Sequence, residues 1–188
     1  YRSGGVYWSG QCQDGKSRGN EPYYCPVGWE RFSFQYSSEV LDFDDKYDNW
    51  PIAYIGATWD DAIRIIFADL EVSKSTVLGA GVLLTPSIEY ASHPHLAKPF
   101  YLDLDKEYQI KWHKGDYRQD MRMYDKRYIQ CVFQCRVKPG CYTKHASMLN
   151  NNDKNIPQDK ILWHVAGDVG ESIGDERILV YGIMFKAK

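Results

Sequence analysis

The chain has 188 residues, among them 6 Trp, 15 Tyr and 7 Phe, and its 23 basic side chains face 25 acidic ones for a net charge of −2. That length suits one domain with a real core and is short for two. The charge balance excludes a nucleic-acid partner held by bulk electrostatics; the longest apolar runs, such as Ile178 to Phe185, reach about half of the ~20 residues a membrane-spanning helix needs, so no membrane partner is expected. Five cysteines, at 12, 25, 131, 135 and 141, are an odd number in a chain too large to depend on disulfide staples, which points to a reducing compartment and a cytoplasmic location.

In chain order, residues 1–20 carry Gly4, Gly5, Gly10, Gly15 and Gly19 with almost no aliphatic side chains, and so read as an extended N-terminal arm ahead of a single domain at 21–188. Tyr7 and Trp8 are its exception, two aromatics suited to anchoring the arm on a protein surface. Tyr23 to Phe34 reads as a turn at Pro26 and Gly28 followed by a short alternating strand. Asp42, Asp44, Asp45 and Asp48 crowd a loop, without the spacing of a calcium loop.

Pro51 to Ile55 predicts a short buried strand. Thr58 can cap a helix starting near Trp59, on which Ala62, Ile63, Ile66, Phe67 and Leu70 form a helical stripe. A second unit of the same kind follows, with Gly79 to Leu84 as a buried strand and Thr85–Pro86 as N-cap and first helical residue of a short helix stopped by Pro94. Tyr128 to Val137 alternates so that Ile129, Cys131, Phe133, Cys135 and Val137 share one face, predicted to be the core side, opposite Tyr128, Gln130, Val132, Gln134 and Arg136. Strands at Ile161 to Val165 and Arg177 to Phe185 close the chain around a connector at 167–174. No internal repeat is visible.

Two clusters invite a metal. His93 and His95 flank Pro94, but no cysteine or carboxylate lies at zinc spacing around them, so a polar loop explains them better. Cys131, Cys135, Cys141 and His145 could nominally supply four ligands; however, Cys131 and Cys135 stand ~13 Å apart on one strand, which favours buried thiols. No metal and no cofactor is expected.

The order of elements carries several motifs. Cys-Pro-Val-Gly-Trp stands at 25–29, Tyr-Ile-Gly-Ala at 54–57, GAGVLLTPSIEYA at 79–91, VFQCRVKPG at 132–140 and YGIMF at 181–185. Together they resemble the ADP-ribosyltransferase fold of the poly-ADP-ribose polymerase type, and within it the C-terminal domain of some neuralized-like proteins and their fungal and invertebrate relatives. The resemblance implies an α+β fold with a split, mostly antiparallel sheet and a few short helices. It also implies where NAD would be held: a His that binds the adenine-side ribose, a Tyr that stacks on nicotinamide and a late Glu that stabilises the oxocarbenium.

Matched motif by motif, those positions fall on Ile55, on Leu83 and on or beside Ile161. Isoleucine offers no hydrogen bond, leucine no π face, and neither a charge. Loss of one preorganised electrostatic group costs ~10²–10³ in rate, and packed aliphatics should leave a collapsed, dry cleft. Glu89 and Tyr90 read as a surface carboxylate and a packing ring rather than replacement catalysts. The Arg, Ser-x-Ser and Glu-x-Glu set of the other transferase clade has no counterpart; Glu171 and Glu176 lie in a connector. The resemblance therefore implies a catalytically inactive module that binds other proteins in a larger assembly, cytoskeletal or ciliary by analogy with relatives, with an active mono-ADP-ribosyltransferase as the alternative.

Overall fold

The structure, a computed structural model, describes residues 8, 13–34, 46–68, 70–75, 78–102, 127–149 and 158–187. In chain order the elements are β1 (Gln13–Arg18), β2 (Glu21–Tyr24), β3 (Glu30–Ser33), β4 (Ile52–Ala57), α1 (Trp59–Ala68), β5 (Ser73–Ser75), β6 (Gly79–Leu84), α2 (Ile88–Ala91), β7 (Phe100–Leu102), β8 (Arg127–Val137), β9 (Thr143–His145), β10 (Leu162–Ala166), α3 (Gly174–Arg177) and β11 (Ile178–Ala187). The fold is α+β and mostly antiparallel, with few short helices.

Two sheets carry it. A larger one runs β3-β11-β8-β4, and a four-stranded one runs β5-β6-β10-β9. Eleven residues make β8 long enough for two neighbours on one edge, β4 along residues 131–136 and β7 along 127–129. The sheets meet at one antiparallel bridge, where the Tyr54 N–H donates to the Thr85 carbonyl (2.7 Å) and the Thr85 N–H to the Tyr54 carbonyl (3.0 Å).

The main core fills the space between the sheets. Ala53, Ile55 and Ala57 of β4 join Cys131, Phe133, Cys135 and Val137 of β8, facing Val82 and Leu84 of β6 and Trp163 and Val165 of β10. Each buried aliphatic or Phe there stabilises the fold by about 1.5–3 kcal/mol. The alternation read from sequence thus places the core face of β8 correctly. The opposite face, expected to be the less buried one, is closed as well: Gln130, Val132, Gln134 and Arg136 are all buried. A second layer covers it, with Tyr23, Cys25, Trp29, Ile88 and Ala91 packed on Ile52, Tyr54, Val132 and Met184. Two of its polar side chains have backbone partners: Gln130 Nε2 donates to the carbonyls of Ser92 (2.7 Å) and Ala97 (3.0 Å), and an Arg136 guanidinium N–H to that of Trp50 (2.7 Å).

Residues 13–18, assigned from composition to the arm, form a strand. β1 pairs with β2 through a two-residue turn at Gly19 and Asn20, both at positive φ (59° and 62°), the conformation that two-residue hairpins require and that Gly and Asn supply. The hairpin therefore crosses the boundary drawn at residue 20. Trp8 is half-buried against the second layer and accepts the Gly28 N–H at 3.1 Å. Tyr7, Cys12, Asp42, Asp44 and Asp45 lie outside the described residues, and Asp48 is exposed. Among the described residues no helix is long and apolar enough to cross a membrane.

Candidate functional site

Thr58 ends β4 and starts α1 as predicted, its Oγ1 accepting the Asp61 N–H at 3.2 Å and donating to Asp61 Oδ2 at 2.7 Å. The second helix starts later than expected. Thr85 is committed to the bridge with Tyr54, so Ser87 caps α2 instead, accepting the Tyr90 N–H at 3.2 Å, while Thr85 Oγ1 accepts the Ser87 N–H.

Beyond the single bridge β4 and β6 diverge, and a cleft of about 360 Å³ opens between them. Tyr54, Ile55 and Gly56 line one side, Val82 to Thr85 the other; α1 contributes Asp61, Arg64, Ile65 and Ala68, and residues 70–72 complete the wall. The expectation of a collapsed cleft is thus corrected. The wall cannot fall inward because it is pinned from outside: the Val72 N–H donates to the Glu171 carbonyl, the Gly170 N–H to the Val72 carbonyl and the Ile173 N–H to the Leu70 carbonyl.

Of the three positions matched to an NAD site, Ile55 and Leu83 meet in this cleft. Ile161 does not reach it; it is fully buried just before β10 among Tyr24, Tyr90 and Leu162, and the neighbouring Leu162 lines the cleft instead. Tyr54, the aromatic nearest the bridge, is also no acid–base group. Its hydroxyl donates to the Tyr24 carbonyl at 2.9 Å, and burial, with Tyr23 and Tyr181 beside it, raises its pKa well above the ordinary phenol value. Charge is confined to the rim, where Arg64 pairs with Asp61 and the Glu71 carboxylate is exposed. The chemistry available is apolar contact on the floor and ionic contact at the mouth.

Sequence reading passed over that rim. Its signal was the Thr-x-x-Asp start of α1, read only as a cap. The other candidates resolve without a site. His93 and His95 stack at 5.1 Å on the turn after α2. Cys131 and Cys135 are buried free thiols, Cys25 is buried and Cys141 is half-buried; burial pushes Cys131 up to about 12 and raises Cys135 further. No group of three or more His, Cys, Asp or Glu able to hold a metal occurs among the described residues. No protein-family model matches the chain, and no curated protein matches it.

Proposed function

We propose that the chain is a catalytically inactive ADP-ribosyltransferase-like module that acts by binding other proteins within a larger assembly. The observation that carries this reading is the floor of the cleft. Ile55 and Leu83, two of the three positions that the resemblance matches to NAD-holding residues, line it together with Leu162, the neighbour of the third, Ile161, and apolar groups cannot hold a ribose or stabilise a cationic transition state. Asp61, one of the two acids that line the cleft, is already engaged by Thr58 and Arg64. A cytoplasmic, cytoskeletal or ciliary setting extends the proposal on resemblance alone.

One observation favours the alternative of an active mono-ADP-ribosyltransferase with a rearranged site: the cleft is open and has Glu71 at its rim. Calorimetric titration with NAD at millimolar concentration, together with incubation with labelled NAD, separates the two. The inactive module gives neither saturable heat nor automodification. Saturable NAD binding with label transfer overturns it.

A further inference from the structure

Monomers rarely leave more than a few hundred Å² of contiguous apolar surface open to water, and a larger patch marks an interface. The outer side of α1 carries such a patch. At ~100° per residue, Trp59, Ile63, Ile66 and Phe67 fall within an arc of about 100°, and all four are exposed. The arc faces away from the cleft, which Asp61, Ile65 and Ala68 line from the other side of the helix. Trp59, at one end, is stacked on Phe100 of β7 with the rings 4.7 Å apart, so one aromatic is already ordered; Phe67, at the other end, is 80% exposed. One flank of the stripe is charged. Asp60 is exposed and has no ion pair among the described residues, and next to it Arg64, 71% exposed, pairs with Asp61.

We propose that this stripe is the contact of a weak two-fold symmetric dimer, in which α1 packs antiparallel on α1 of a second copy of the chain. The contact does not depend on what the cleft binds. Charge selects a second copy as the occupant. A two-fold axis crossing the helices at Ile63 lays the same flank of each beside the other, with Trp59 opposite Phe67 of the second copy and Ile63 against its own counterpart. Asp60 then lies within ~3 Å, measured along the helix, of Arg64 of the second copy, and symmetry forms the reverse pair as well. Arg64 can turn to it, because an exposed i,i+3 pair such as Arg64–Asp61 holds it only weakly. The antiparallel arrangement also opposes the two helix dipoles, and it carries the acidic first turn of each copy, Asp60 and Asp61, away from that of the other. The size of the patch sets the affinity. With on the order of 400 Å² of apolar surface on each copy, plus the charged flank, the dimer buries about 1,000 Å² in total, the low end for specific association. A dissociation constant of tens of micromolar is expected, so at about 1 µM the chain is single and unfolding there reads the uncovered helix.

Sedimentation equilibrium of the full chain from about 1 µM to about 1 mM tests this, and the mass should rise from that of one chain to a plateau at that of two. Phe67→Lys, at the most exposed position of the stripe, should weaken association more than about tenfold and leave the melting temperature of the dilute chain unchanged. Asp60→Lys and Arg64→Glu each set like charges against each other and should each weaken association about fivefold. An equimolar mixture of those two variants should recover the original constant to within about twofold, because both charge pairs then form between unlike copies. On oxidation, Ile63→Cys should yield a dimer linked through position 63, identified by peptide mass, whereas Phe67→Cys, whose two copies lie ~12 Å apart along the helices, should not link to itself. A single-chain mass at millimolar concentration, growth past two chains without a plateau, a dimer indifferent to Phe67→Lys, or a mixture that associates no better than its components overturns the proposal.

Discussion

The two strand–helix units, β4–α1 and β6–α2, look alike in sequence and are held in opposite ways. α1 has ten residues, its own Thr58 cap and acidic residues in its first turn, so local chemistry supports it. Yet it touches the core mainly through Ala62 and half-buried Ile65, while Trp59, Ile63, Ile66 and Phe67 are 44, 38, 43 and 80% exposed. α2 has four residues, too few to be helical alone, and Ile88, Tyr90 and Ala91 are all buried. Tertiary contacts hold it: the Tyr90 hydroxyl accepts the Met148 N–H at 3.0 Å, and Gln130 ties down the two carbonyls beyond its end. Periodicity thus reports that a helix exists, and packing alone decides which of its faces is covered.

The sharpest test of that difference is Tyr90→Ala, which should cost about 3–5 kcal/mol in denaturant unfolding, as for other buried aromatics; a loss below about 1 kcal/mol would mean that α2 is not held by packing. Gln130→Ala leaves the Ser92 and Ala97 carbonyls unpaired in a buried layer, and a destabilisation of about 1–3 kcal/mol is expected from the same measurement. Ser87→Ala should cost about 1 kcal/mol, and Thr58→Ala less, because a ten-residue helix has other supports; an equal or reversed order would undo the contrast.

A pH series probes the core beneath the first unit. Cys131, paired with Ala57 at the end of β4, titrates near 9.0 in an unfolded chain and about 12 in the fold, because burial disfavours the thiolate. The folded state therefore keeps a proton that the unfolded state releases, so this contribution is intact below pH 9 and declines as pH rises toward 12. Cys131 should account for a loss of about 1 kcal/mol between pH 9 and 10 and Cys135, raised further by burial, for as much again, so Cys131→Val should halve that slope. The smallest effect belongs to α1's outer face. Phe67→Ser should shift stability by no more than about 0.5 kcal/mol, and a larger loss would show that the exposed stripe is covered in solution.

Much of the first unit was legible because its signals are local. The Thr58 cap, the buried run through Ile55 and the alternation from Ile129 to Val137 each depend on neighbours a few residues away. Other features were not legible for the converse reason. Gln130 and Arg136 look like solvent-facing residues until Ser92, Ala97 and Trp50 are brought to them. Ser87 replaces Thr85 as the cap only because Tyr54, thirty-one residues earlier, takes the backbone of Thr85. At the cleft, side-chain chemistry was readable and shape was not: Ile55 and Leu83 announce an apolar floor, but whether it closes depends on hydrogen bonds between residues 70–72 and 170–173.

By itself, then, the amino-acid sequence determined that β4, β6, β8, β10 and β11 are strands and α1 and α2 helices, the inward face of β8 and the apolar character of the positions that meet at the cleft, since each follows from residue type and short-range spacing. Only the tertiary structure decided that both faces of β8 are buried, that the glycine-rich start contains a paired strand, and that an open cleft separates β4 from β6 beyond their one bridge. Those outcomes depend on where distant segments come to rest, and a strand cannot show its free edge until every neighbour it will pair with has been placed.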